Sequence, residues 1–217
     1  MQIPSNDVCR EMILEMGMLD HILDHSRQVC RVALFLCERL AACSVSLDWR
    51  LVFAGALLHD ITKTRSFTTG ENHAETGGVY LRGKGFQEVA DIVRQHVCLD
   101  QYPDPPVIDE AAVVNYADKR VLNDQIVTLK ERMLYILDRY GKIHQCKERF
   151  DWLWGKSLGI ETAIFQTIAI SPETLPAAMD KITSPPYGIR LFRWDRLEII
   201  QTPKGYTRQT RRPPKPP

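Results

Sequence analysis

An apolar run, Leu51 to Leu58 (LVFAGALL), ends directly on His59-Asp60. A segment that is apolar nearly all round suits a helix enclosed by other helices, not one with a solvent face. Residues 48–60 are therefore expected inside a helical core, with two ionisable side chains at their buried end. A buried ionised carboxylate is costly unless it is paired, hydrogen-bonded or held on a metal. Any fold for this chain has to compensate Asp60.

Helical spacing recurs on both sides of that run. Residues 7–16 read as a short helix, capped by Asn6 or Asp7 and closed by Gly17. Over 20–42, Ile22, His25, Val29, Val32 and Leu36 share one face. A polar loop, ITKTRSFTTGEN, follows the buried segment. Helices over 72–82 and 86–98 are split by Gly83 and Gly85, and a Pro-rich loop from Tyr102 to Pro106 leads into a helix over 109–122. Further helices are expected near 128–139 and 146–168, and Ser171-Pro172 opens a last short one. There is no internal repeat. The expected fold class is all-α, with one domain over 1–183, its core roughly 20–140, and a tail over 184–217.

Charge separates the same two regions. The chain of 217 residues carries a net charge of +1, but residues 181–217 carry +7 and residues 1–180 carry −6. The tail interleaves its cations with Phe192, Trp194 and Tyr206, a composition that can bind nucleic-acid phosphates. Its Ser184-Pro185-Pro186 break and terminal RRPPKPP favour a solubilising, disordered end instead, with a strand pair as an option over 187–201. No apolar stretch approaches the roughly 20 residues of a membrane-spanning helix, and the N-terminus lacks a signal-peptide pattern. Six scattered cysteines without a CxxC read as buried, reduced thiols of a cytoplasmic protein. These features point away from a membrane. Nothing in the sequence sets the oligomeric state.

His25 and His96 lie on apolar helix faces, and Asp118 sits four after Val114 and three before Val121, where the pattern asks for an apolar residue. A single histidine in such a place is commonly a satisfied core residue. Several ionisable residues at core positions of separate helices, with His59-Asp60 ending another, favour one shared polar centre. Neighbours in a helix point about 100° apart, so His59 and Asp60 can share an ion only on a flank or at a frayed end. Thr62 and the polar loop suggest such an end. His73 opens a helix after that loop, where an exposed N-terminal histidine is the alternative. His21 and His25 are spaced for one zinc, but Ile22 stands where a zinc protease needs its glutamate, and His21 reads as a surface residue. His144 has no partner in sequence. There is no phosphate-binding GxxxxGK[ST] loop and no GxGxxG.

The stretch LLHDITK resembles the central motif of the HD superfamily of metal-dependent phosphohydrolases, with Lys63 trailing the pair. DHSRQVCRVA resembles the segment that supplies that family's first histidine, here His25, and NYADKRV the segment that supplies its last aspartate, here Asp118. More closely, residues 3–140 are similar to the small bacterial HDIG-type HD domain proteins, through NHAETGG, EVADIVRQHV and NYADKRVLNDQIVTLKER, with Thr62 where that subgroup has glycine. The resemblance implies a helical bundle around a metal centre. His25, His59, Asp60 and Asp118 would be a minimal one-metal quartet. His73 and His96 match the larger-site members, which hold two ions with the HD aspartate shared, as in hydrolases of diadenosine tetraphosphate and the HD-GYP phosphodiesterases. The GYP signature itself is absent.

Imidazole and carboxylate ligands without thiolate suit Fe, Mn, Co, Ni or Zn. The expected activity is hydrolysis of a nucleotide or related phosphoester by a metal-activated water. Asp60 and Lys63 would be the catalytic residues, with Lys63 and Arg120 contacting the substrate phosphate. The alternative is an HD-fold module that senses a nucleotide with little turnover. The six intact ligand positions favour the enzyme.

Overall fold

The computed structural model describes residues 2–140, 147–181 and 186–188. The order is α1 (Asn6–Glu15), α2 (Asp20–Ala42), α3 (Trp49–Leu58), α4 (Lys63–Thr69), α5 (His73–Gly83), α6 (Gln87–Gln95) and α7 (Glu110–Asp118). A two-stranded hairpin follows, β1 (Val121–Leu122) and β2 (Gln125–Ile126), then α8 (Leu129–Tyr140), α9 (Lys147–Ile168) and α10 (Leu175–Asp180). The expected all-α class is what forms. Among the described residues, no helix is long and apolar enough to cross a membrane.

α3 is the axis of the fold. Every residue from Leu51 to Leu58 is buried, because α2, α6 and α7 pack around it. The closest approach is at Gly55, where a β-carbon would lie 2.6 Å from Ile92 Cγ2 of α6. Any larger residue there would force Ile92 to shift. α3 starts where Asp48 accepts a hydrogen bond from the Arg50 amide. The Asp48 amide in turn donates to Glu110 Oε1 at 2.8 Å, so α3 and α7 begin side by side. α5 packs on α6, and α9 lies across α2, α7 and α8.

Two local expectations fail. The polar segment after Asp60 is not all loop: Lys63–Thr69 forms a helix, closed by Gly70 at φ +70°. It buries no side chain, so no apolar period betrays it. Its serine and threonine hydroxyls bond back onto Lys63 O and Arg65 O instead. The segment after Asp118 is not helical either. α7 ends at Asp118, and the chain enters the hairpin, with Asn123 turning at φ +54°. Asparagine tolerates this left-handed conformation better than most residues.

Cys9, Cys30 and Cys37 are buried free thiols, but Cys43 is exposed at the end of α2 and Cys98 is half-buried. Most of the tail over 184–217, with the strand option over 187–201, lies outside the described residues, as do His144 and Cys146. Within it, Pro186–Gly188 forms a single turn, and the Tyr187 ring stacks on Trp49 at 5.1 Å.

Candidate metal centre

His59 is the C-cap of α3, and Asp60 lies in the turn beyond it. The helix frays where the two side chains can turn toward one space. His96 occupies the matching place at the end of α6. Both histidines donate Nδ1–H to a carbonyl of their own last turn, His59 to Ala56 O at 2.8 Å and His96 to Val93 O at 2.7 Å. His25, on α2, donates Nδ1–H to Asn123 O at 2.8 Å. With Nδ1 carrying the proton, each Nε2 keeps its lone pair, the arrangement by which metal-binding histidines are oriented. The hairpin that breaks the helical pattern thus supplies the carbonyl that fixes His25.

The Nε2 atoms converge on the carboxylates. His25 Nε2 is 3.0 Å from Asp118 Oδ1. His59 Nε2 lies 3.5 Å from Asp60 Oδ2 and 3.7 Å from Asp118 Oδ1. On the other side of Asp60, Oδ1 is 3.2 Å from His73 Nε2 and 3.6 Å from His96 Nε2. Two triads result, His25–His59–Asp60 and Asp60–His73–His96. In each, the ligand atoms lie within 4.8 Å of one another, and Asp60 belongs to both.

The electrostatics ask for a cation. Burial works against a charged His59, yet the Asp60 and Asp118 carboxylates raise its pKa above the ordinary histidine value. Burial likewise opposes ionisation of Asp60 and Asp118. The His59 and Lys63 charges nevertheless hold Asp60 well below the usual range, and Arg132 and His25 do the same for Asp118. His96 is pushed down to about 4, chiefly by burial, so it stays neutral and ready to ligate. A site that draws a proton onto a buried histidine is a site of strong negative potential.

Two atoms test the fit. His59 Nε2 and Asp60 Oδ1 are buried with no hydrogen-bond partner among the described residues. Buried polar atoms are rarely left so. Both belong to the triads, both are ligand types, and a divalent ion among them would satisfy both. The residues present fit a metal.

Residues 22–140 match the HD domain family, more than half of the chain. This chain belongs to the HD domain family. It is 30% identical over 154 residues to a tRNA (cytidine(56)-2′-O)-methyltransferase of Thermoplasma volcanium, covering 64% of this chain and 42% of that protein. It is 33% identical over 151 residues to the protein of the same name from Picrophilus torridus, covering 64% of this chain and 41% of that protein. The chain thus spans less than half the length of these curated relatives. No solved structure matches it significantly.

Within the HD domain, the structure brings His25, His59, Asp60, His73, His96 and Asp118 together. Lys63 stands beside them, its Nζ 2.9 Å from Asp60 Oδ2. Arg120 does not join them, which corrects its expected place at the substrate. Its side chain is 1% exposed. The guanidinium donates to Val127 O at 2.7 Å, to the Tyr116 hydroxyl at 2.5 Å and to Pro172 O at 2.9 Å, and it pairs with Glu161 at 3.4 Å. Arg120 is a structural clamp joining α7, the exit of the hairpin and the start of the α10 segment. Spacing alone could not tell an arginine two after a ligand from one turned into the core.

Three supporting residues escaped the sequence reading. Asn115 donates to Gln95 O and His96 O, at 2.9 and 3.0 Å, holding the end of α6 against α7. Lys119 is buried and bonds Asn115 Oδ1 at 2.7 Å, and burial lowers its pKa to about 8. Thr62 donates its hydroxyl to His73 O at 2.8 Å, so the residue that departs from the HDIG pattern positions the start of α5. Asn115 and Lys119 do fall on the buried side of α7, which is the signal that was available.

Proposed function

We propose that this chain is a metal-dependent phosphohydrolase that cleaves a nucleotide or related phosphoester, with two divalent transition-metal ions (Fe, Mn, Co, Ni or Zn) sharing Asp60. The observation that carries the reading is the pair of His/Asp triads meeting at Asp60, with three histidines oriented by their Nδ1–H bonds. Divalent ions in such a site supply an activated water and neutralise phosphate oxygens during in-line displacement.

The chain's own residues do the rest. Asp60 presents one oxygen to each triad and so fixes their separation. His25, His59 and Asp118 hold one side; His73 and His96 hold the other. Lys63 rests on Asp60 Oδ2 and contacts a bound phosphate as a charged hydrogen-bond donor. The side chains of His59, Asp60 and His96 are almost fully enclosed, at 0%, 1% and 2% exposed, so water is excluded from the floor. His73 and Lys63, at 23% and 26%, form part of the mouth. No side chain stands out as a general acid, which favours leaving groups that depart as anions, phosphate or a nucleotide among them. The free, scattered cysteines support a cytoplasmic location for this activity.

The two relatives described above are named as tRNA methyltransferases. That makes RNA a second phosphate-bearing ligand to test, held through its phosphates.

The test is metal analysis of protein purified without chelator. A hydrolysis panel of nucleoside monophosphates, dinucleoside polyphosphates, cyclic dinucleotides and phosphorylated RNA ends follows, each with added Mn²⁺. Two ions per chain and turnover of one substrate class are expected, and Asp60→Ala should abolish both. Tight binding without turnover would replace the enzyme by a sensor. Full activity in Asp60→Ala would remove the site assignment.

A further inference from the structure

Two cations flank the HD centre. Lys63 contacts Asp60 Oδ2 at 2.9 Å. Arg132, from α8, approaches Asp118 Oδ1 with Nη2 at 3.5 Å, and the side chains of both partners are 12% exposed. Asp60 and Asp118 are linked in turn through His59 Nε2, at 3.5 and 3.7 Å. The two cations therefore stand at the two ends of one row of ligand atoms.

Arg132 is poorly used as an ion-pair partner. Asp118 Oδ1 already faces His25 Nε2 at 3.0 Å, and the Arg132 contact sits at the outer limit of a hydrogen bond. Its Nε is buried with no hydrogen-bond partner among the described residues. A guanidinium has five N–H donors in a planar fork, and among the described residues that of Arg132 makes one long hydrogen bond. The guanidinium lies over the Tyr135 ring, with Arg132 Cζ 5.6 Å from its centroid, which orients the fork from one side. A nearly enclosed, preoriented fork next to a metal centre matches the geometry of a phosphate, whose oxygens accept two parallel N–H bonds.

We infer that Arg132 is a phosphate-binding residue of the HD centre, gripping the phosphoryl group at the end of the site opposite Lys63. This rests on the phosphohydrolase reading for its ligand class, but not on turnover. It gives Arg132 the part that Arg120, turned into the core, does not play. The competing role is a structural one, in which Arg132 merely neutralises Asp118.

The experiment uses the full chain loaded with Mn²⁺ and inorganic phosphate as the probe, titrated calorimetrically. Metal content and thermal midpoint are measured on the same samples. Arg132→Gln should keep its metal and its midpoint while phosphate binding weakens on the order of tenfold to a hundredfold. Arg132→Lys should recover part of that loss, since a point charge remains but the fork is gone. Unchanged phosphate affinity in Arg132→Gln would overturn the inference. So would metal loss in both variants, which would assign Arg132 to Asp118 alone. Arg132-dependent phosphate binding in a protein that hydrolyses nothing would leave this inference standing and remove the hydrolase reading. Hydrolysis indifferent to Arg132→Gln would do the reverse.

Discussion

Replacing Arg120 separates the structural account of this HD domain from a reading by spacing. In Arg120→Met the aliphatic stem is largely kept and the fork is lost. Val127 O loses its donor, which bonds it at 2.7 Å, while Pro172 O loses one at 2.9 Å but keeps the Leu175 amide. A buried acceptor left unpaired costs about 1–3 kcal/mol, and the part-buried Val127 O falls at the low end of that range. Glu161 loses its counter-charge, but it keeps the Tyr116 hydroxyl at 2.6 Å and is 15% exposed, so its share is small. Against these losses stands the relief of a guanidinium no longer desolvated. Breaking one partner of a buried, hydrogen-bonded charge network typically destabilises by about 3–5 kcal/mol. For a domain of this size each kcal/mol moves the thermal midpoint by about 2–4 °C, so a drop on the order of 10 °C is expected. Urea unfolding at fixed metal concentration is the assay, with a lower midpoint and an unchanged slope as the signature. A loss below about 1 kcal/mol accompanied by weaker phosphate binding would refute the clamp and return Arg120 to the substrate.

Other consequences follow from the same geometry. The double variant His73→Ala/His96→Ala should hold one ion where the wild type holds two, because His25, His59, Asp60 and Asp118 are untouched; equal metal content in both proteins would argue for a single site. Lys63→Ala should keep fold and metal but slow turnover by roughly tenfold to a hundredfold, the worth of one charge-assisted hydrogen bond. A collapse of metal binding in that variant would make Lys63 a support for Asp60 rather than a phosphate contact. Acid should release the metal early. The folded pKa of His59 is raised, so a proton competes for Nε2 from above the ordinary histidine value downward, whereas His96, lowered to about 4, adds no competition until far lower pH. Affinity measured by competition with a chelating dye should be flat at alkaline pH and fall as pH drops through neutrality. A curve flat down to pH 5 would contradict this.

The centre was legible where burial and ionisation conflict. His25, Asp60, His96 and Asp118 each stand where a helical period asks for an apolar side chain, and the physical cost of leaving them uncompensated is what gathers them. His73 carried no such conflict, being partly exposed, and only the resemblance brought it in. The elements that orient the ligands were harder to read, because they act through backbone carbonyls, which look alike in any sequence. Ala56 O, Val93 O and Asn123 O decide which nitrogen of each histidine faces the cluster of carboxylates. Two of these carbonyls follow automatically from ending a helix on histidine, three residues after the acceptor. The third needs a hairpin that periodicity could not show, because its strands are two residues each. Helix α4 was hidden for the opposite reason, having a regular backbone but no buried face. Arg120 and Arg132 complete the argument. Both lie near a ligand in sequence or space, and both are cations in largely buried surroundings. The fork of Arg120 is filled by oxygens of the protein, while Nε of Arg132 has no hydrogen-bond partner among the described residues. The difference between a clamp and a ligand-binding group therefore rests on unspent donors, a quantity that only the folded chain displays.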